Sequence, residues 1–269
     1  MLKRLVLVLF ITALGASQAM AEPEADWQFR IKRVADGWTA SFSGTQNYGD
    51  SHGGPRLKGS GVWTEKARAV GAFTQLRVDG PIDVVLTQAS ADGIKVLADD
   101  NIEPLIESTI EGDTLVLRLQ RGVGFTTRHK PQVRIDSKSV QVLMLSGSGD
   151  VQMERFKGER LNLNLSGSGD LRLGMVEVRV LNVAMQGSGD VQMAGRADTQ
   201  SWVMRGSGDV DARSLSGRAV KAQLDGSGDM ALGVSETLDV NLRGSGDLRY
   251  AGRPQLHQSS SGSGEVSHR

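Results

Sequence analysis

The tetrapeptide Gly-Ser-Gly-Asp recurs through the second half of this chain at a nearly fixed interval, and that interval leaves few folds open. It occupies 147–150, 167–170, 187–190, 206–209, 226–229 and 244–247, and a seventh copy at 262–265 ends in Glu265. Successive copies start 20, 20, 19, 20, 18 and 18 residues apart. A period near twenty is the signature of stacked repeats, in which no unit can bury its apolar face alone.

Counting from the first glycine of each copy brings out the core. Two residues before it stand Leu145, Leu165, Met185, Met204, Leu224 and Leu242. Four before it are Leu143, Leu163, Val183, Trp202, Ala222 and Val240. Four after it are Val151, Leu171, Val191, Val210, Met230 and Leu248, and the columns six before and six after are largely apolar too. Period two on both sides predicts two strands per repeat that bend at Gly-Ser-Gly. A third, short and variable side is expected to send Phe156, Val176, Leu215 and Val234 inward. Stacking such units about 4.8 Å apart lets each rung hydrogen-bond to the next and buries one continuous core. The predicted fold is all-β: a parallel β-helix (β-solenoid), right-handed, with repeats of about twenty residues.

Within that fold the tetrapeptide reads first as a corner. Glycine reaches positive φ without penalty, and a neighbouring aspartate or serine ties the turn by bonding nearby backbone N–H groups. The functional alternative is a cation ladder formed by Asp150, Asp170, Asp190, Asp209, Asp229 and Asp247. Stacked carboxylates repel by only about 0.9 kcal/mol per pair in water, which a cation would relieve. Calcium β-rolls, however, repeat every nine residues with Gly-Gly-x-Gly-x-Asp spacing, which is absent here. No other metal or cofactor site is expected. His52, His129, His257 and His268 are scattered, there is no cysteine, and the glycine runs lead into strands rather than phosphate-binding helices. The expectation is a protein that is not an enzyme. The enzymatic rival, a polysaccharide lyase or hydrolase on a β-helix, needs an irregular cluster of acids and bases, whereas these aspartates share one repeated position.

Residues 1–21 read as a secretory signal. Lys3 and Arg4 precede an apolar run from Leu5 to Ala16, and Ala19-Met20-Ala21 forms a small-residue cleavage site. Cleavage would remove two of 31 basic residues and none of 31 acidic ones, leaving 29 against 31 and a net charge near −2. That balance argues against nucleic acid or an anionic membrane as a partner. No later apolar stretch is long enough to span a bilayer, so no membrane span is expected in the mature chain. An exported chain without cysteine must take its stability from repeated packing rather than disulfides.

Residues 22–62 form a lead-in segment, with a hairpin suggested by alternation at Trp27, Phe29 and Ile31 and by Asp36-Gly37 before Trp38, then a flexible Gly/Ser-rich linker. Residues 63–139 repeat the grammar in irregular form: Leu76 and Val78 precede Gly80, Asp83 follows three residues later, and Val84 and Leu86 come after it. Further strands are expected at 94–96, 115–119 and 133–135, with a short helical turn in 101–108 limited by Pro104. Residues 140–269 are the regular rungs. The last of these is poor in apolar residues, with Gln258, Ser260 and His268 at inward columns. Such an end either keeps the solenoid soluble or offers an edge for end-to-end self-association.

Segments 73–88 (FTQLRVDGPIDVVLTQ) and 98–119 (ADDNIEPLIESTIEGDTLVLRL), the repeats, and Tyr250-Ala251-Gly252-Arg253-Pro254 before the last Gly-Ser-Gly carry a resemblance. Over about residues 62–269 the chain resembles the bacterial exported family labelled "putative autotransporter adhesin, head GIN domain". The resemblance implies a β-helix in the periplasm or at the cell surface; the repeats, the signal and the lack of catalytic groupings lead to the expectation of an envelope or surface protein or glycan as partner, for a chain that is periplasmic, at the cell surface or extracellular. The resemblance implies no catalytic or binding residues. No run of ten-residue alternating strands, the mark of an autotransporter's membrane barrel, follows the repeats, so the expectation is a periplasmic or released protein unless another chain anchors it.

Overall fold

The structure, a computed structural model, describes residues 28–34, 37–43 and 56–269. The segment read as a signal and most of the linker lie outside the described residues. The chain divides into two compact units, Met1–Ser51 and His52–Arg269. In the first, β1 (Gln28–Val34) and β2 (Gly37–Ser43) pair antiparallel, with Phe29 opposite Phe42 and Ile31 opposite Ala40.

The second unit opens with irregular strands: β3 (Arg56–Lys58), β4 (Trp63–Arg68), β5 (Gln75–Asp79), β6 (Asp83–Gln88) and β7 (Gly93–Asp99). A single 3-10 turn at Glu103–Leu105 follows, with Pro104 in its first turn, where the missing N–H costs nothing. Then come β8 (Ile106–Glu111), β9 (Thr114–Leu119), β10 (Gly124–Thr126) and β11 (Gln132–Ser137). The regular coils are β12 (Val142–Gly147), β13 (Val151–Gly167), β14 (Leu171–Gly187), β15 (Val191–Gly206), β16 (Val210–Gly226) and β17 (Met230–Gly244). They end in β18 (Leu248–Ala251), β19 (Gln255–Gly262) and β20 (Val266–His268).

Every pairing from β12 onward is parallel, and in each the equivalent residue of the next repeat lies alongside: Leu163 beside Val183, Val183 beside Trp202, Trp202 beside Ala222. This is the β-solenoid that the period requires. The worn first rung belongs to it, since β12 and β13 stack on β5 and β6, with Leu145 beside Val78 and Val151 beside Val84. At that end the parallel order gives way to antiparallel pairs, β8 with β9 and β4 with β7.

The residues named above at two and four before and four after each corner glycine are buried, as are Phe156, Val176, Leu215 and Val234 on the third side, whereas Gln258, Ser260 and His268 of the last rung are exposed. Gln200 replaces an apolar residue in the inward column, yet its polar atoms are satisfied. The Trp202 indole N–H donates to its Oε1 at 2.9 Å, and its amide donates to the Ala197 carbonyl at 3.3 Å. The coil differs from the expected pair of strands. Each of β13 to β17 is a single strand of 15–17 residues, broken only at Ser-Gly-Asp. The other corners are made by stepping out of period two. Met153 and Phe156 are both buried with Glu154 and Arg155 exposed between them, so the chain bends while its backbone bonds continue.

The two glycines of the corner are required for different reasons. Gly187, at φ 126°, is in a conformation other residues rarely adopt. Gly189 has no positive φ; a Cβ there would lie 2.1 Å from the Gly169 carbonyl oxygen one coil below. The first glycine is needed both for the bend and for the contact between coils, the second for the contact alone.

At the early end, Glu103 is buried and paired with Lys66 at 2.8 Å and with Arg68. Burial alone would raise its pKa, but the hydrogen bonds from Lys66 and Arg68 outweigh that and hold it below the usual carboxylate range. A lowered folded-state pKa stabilises the fold above the ordinary glutamate range, and that contribution is lost as pH falls through the lowered value.

Two outcomes are expected. Gly189→Val should abolish cooperative folding, checked by circular dichroism and thermal melting, because backbone rather than a flexible side chain blocks the new atoms. Arg68→Ala should lower the melting temperature at neutral pH, and the deficit relative to the parent should shrink as pH is taken below the carboxylate range.

Candidate functional site

The one exposed feature that every coil repeats is the Ser-Gly-Asp corner. Its serine is exposed, its glycine buried, and its aspartate half-buried or exposed. In the second copy the N–H groups of Ser168 and Gly169 both donate to the Gly147 carbonyl, at 2.9 and 3.1 Å. The next N–H, that of Asp170, donates to Oδ1 of Asp150 at 3.0 Å. The same bond recurs along the whole edge. Asp190 N–H donates to Asp170 at 3.0 Å, Asp209 to Asp190 at 2.9 Å, Asp229 to Asp209 at 2.8 Å and Asp247 to Asp229 at 2.9 Å. Asp83 begins the series by accepting from Asp150 N–H at 3.0 Å, and Asp247 accepts from Glu265 N–H at 3.1 Å.

The structure therefore brings all six predicted aspartates into one ladder, but the bond differs from the expected one. The carboxylate does not tie its own turn; it accepts the amide of the coil above. The strand ladder stops at the corner, so that amide has no carbonyl opposite it, and the carboxylate supplies the acceptor. A hydrogen bond to a charged group is worth about 1.5–3 kcal/mol, more than the roughly 0.9 kcal/mol of repulsion between neighbouring carboxylates in water.

Cations already sit along this edge. Arg172 reaches Asp170 Oδ2 at 3.0 Å, Arg249 reaches Asp247 at 3.2 Å and Asp229 at 3.4 Å, and Lys130 lies 3.6 Å from Asp83. Lys130 also donates to the Ser148 carbonyl at 3.1 Å, closing the early end of the ladder. Nothing in its sequence position, outside the repeats, pointed to that role. Among the described residues no three His, Cys, Asp or Glu side chains stand close enough to hold a metal ion.

The described histidines stay apart. His129 meets Trp63 edge-on at 5.7 Å, His257 Nδ1 lies 3.1 Å from Asp239 Oδ1, and His268 Nε2 lies 2.7 Å from the Gly252 carbonyl oxygen. Of these only His257 has a carboxylate partner, and both members of that pair are exposed.

Residues 72–254 match the model of the family described as "Putative auto-transporter adhesin, head GIN domain". The chain belongs to this family. Among solved structures, a "putative adhesin" from Bacteroides fragilis is 25% identical with a TM-score of 0.75, covering 79% of this chain and 100% of that one. A "putative adhesin" from Parabacteroides merdae is 22% identical with a TM-score of 0.64, over 80% of this chain and 99% of that one. A protein from Parabacteroides distasonis described as a "putative lipid binding protein" is 20% identical with a TM-score of 0.65, over 80% of this chain and 100% of that one. The last two likenesses show the fold alone. No curated protein matches the sequence. Among the described residues of this head GIN domain protein, no helix is long and apolar enough to cross a membrane.

Two measurements test the ladder. Asp190→Asn keeps an oxygen acceptor and should cost less than about 1 kcal/mol, whereas Asp190→Ala leaves the Asp209 amide without a partner and should cost about 1–3 kcal/mol, read by chemical denaturation. With each Oδ1 engaged, melting in calcium and in chelator should coincide; a rise in calcium would reveal a cation held by the ladder.

Proposed function

We propose that this protein is a non-enzymatic, exported, adhesin-like solenoid that presents its outward faces to a protein or glycan of the cell envelope or cell surface. The observation that carries this reading is a division of labour within the coil. What repeats is consumed by the fold: glycines touch glycines, and each corner carboxylate is bonded to the next coil. What varies from coil to coil is the outward column, for example Asn162, Asn182, Ser201, Lys221, Asp239 and His257 along one face. A rigid scaffold with individually chosen surface positions suits recognition, as in other solenoids. Membership of a family named for adhesins supports the same reading. The apolar run and small-residue site at residues 5–21 support export.

The test is capture. Immobilised mature protein incubated with envelope fractions and with a glycan panel should retain a defined protein or glycan, and recovery of nothing specific from either would overturn the reading. Turnover of any glycan on the panel would overturn its non-enzymatic part.

A further inference from the structure

The coil that starts at Gly187 has 19 residues where its neighbours have 20, and its strand β15 has 16 residues against 17 in β13, β14 and β16. The apolar columns and corner glycines on both sides remain in register, so the missing residue has to be absorbed between them. It is absorbed twice. Against β14 the register shifts between Leu173 and Val176, beside the exposed Met175. Against β16 it shifts between Gln192 and Ala194, and Ser214 comes to lie beside Ala194 while Arg213 turns onto Asp211. Such bulges re-aim side chains and are over-represented beside binding sites.

Around these bulges lies a groove of about 340 Å³. Gly174 and Ala194 give it a low, uncharged floor, and Gln152, Gln192, Arg172, Asp211, Glu154 and Ser214 line it. Its charges are mostly spent: Arg172 pairs with Asp170, and Asp211 with Arg213, which leaves Glu154. The Gln152 and Gln192 carboxamides make no hydrogen bond within the described residues, so each offers two donors and an acceptor to a ligand. The lining crosses four coils, about 14 Å at the spacing of adjacent strands. The strands beneath have their backbone groups engaged by a coil on either side, so a peptide could not join here as an added strand.

We propose that this groove binds a short neutral oligosaccharide, with the carboxamides of Gln152 and Gln192 and the Ser214 hydroxyl meeting sugar hydroxyls above the Gly174–Ala194 floor. The site rests on the surface-recognition reading above and names its ligand class. Glu154 disfavours uronate-containing chains, and Arg172, the one basic residue that lines the groove, is already paired with Asp170.

The test titrates the mature protein with a panel of neutral glucan, mannan and galactan fragments, and with uronate oligomers, by isothermal calorimetry. Three proteins are compared: the parent, Ala194→Phe, which fills the floor, and a variant with one glycine inserted after Ala194, which restores a 20-residue coil. The parent should bind at least one neutral fragment, and both variants should bind it at least tenfold more weakly while melting within a few degrees of the parent. If one variant fails to fold, the other carries the test, with Gln192→Ala as a third. Equal binding by folded variants, preference for uronates, or no binding by the parent would each overturn the groove assignment. Capture from envelope fractions by both parent and Ala194→Phe would then show that surface recognition survives on another face.

Discussion

The closeness of one corner to the next is the constraint on which the rest of this solenoid depends. Where two coils meet at Gly-Ser-Gly-Asp, a Cβ on Gly167, Gly187, Gly206, Gly226 or Gly244 would lie 2.0–2.3 Å from a carbonyl oxygen of the coil below. No side chain fits there, so the corner has to be glycine, and in return both amides that follow reach the same carbonyl. That contact sets the height of the coil at one point of its circumference. The core columns then stack at the spacing that strand pairing prefers, and the apolar residues two and four before each corner glycine lie against their counterparts in the next repeat.

The aspartate completes this contact rather than decorating it. A parallel ladder that turns a corner loses its carbonyl acceptors for a few residues, and here one carboxylate per coil replaces the missing one. The same chemistry keeps the acidic edge from being only a repulsive column, because each bond between coils outweighs the repulsion it has to overcome. An edge that looks like a cation site when its residues are read in a line is, in three dimensions, mostly occupied by the protein's own backbone. The recognition surface is better sought where the repeat is broken. The groove over β13 to β16 lies at the first departure from twenty residues, where one missing residue is absorbed without disturbing Trp202, Met204 or the corner glycines.

Much of this was legible before any coordinates. The columns through Leu145 and Leu143 predict the buried residues, Gly80 and Asp83 mark the worn first rung, and Phe156, Val176, Leu215 and Val234 identify the third side. What could not be read was the partner of each group. Strand alternation says that Val151 faces inward, but it does not say that β13 runs unbroken to Gly167. Lys130 lies far from Asp83 and Ser148 in sequence and meets them only because β11 stacks on β6. The spacing of 19 between the third and fourth copies was visible as a number, and its consequence depended on which positions could shift.

Sequence alone determined the period, the inward columns and the need for glycine at the corners, because these are local and repeat identically. Tertiary structure decided that Gly189 is required for contact rather than for φ, that each aspartate serves the coil above its own, and that the 19-residue coil is absorbed by register shifts beside a groove. Those outcomes depend on the distance between coils, and no single coil carries that distance in its own sequence.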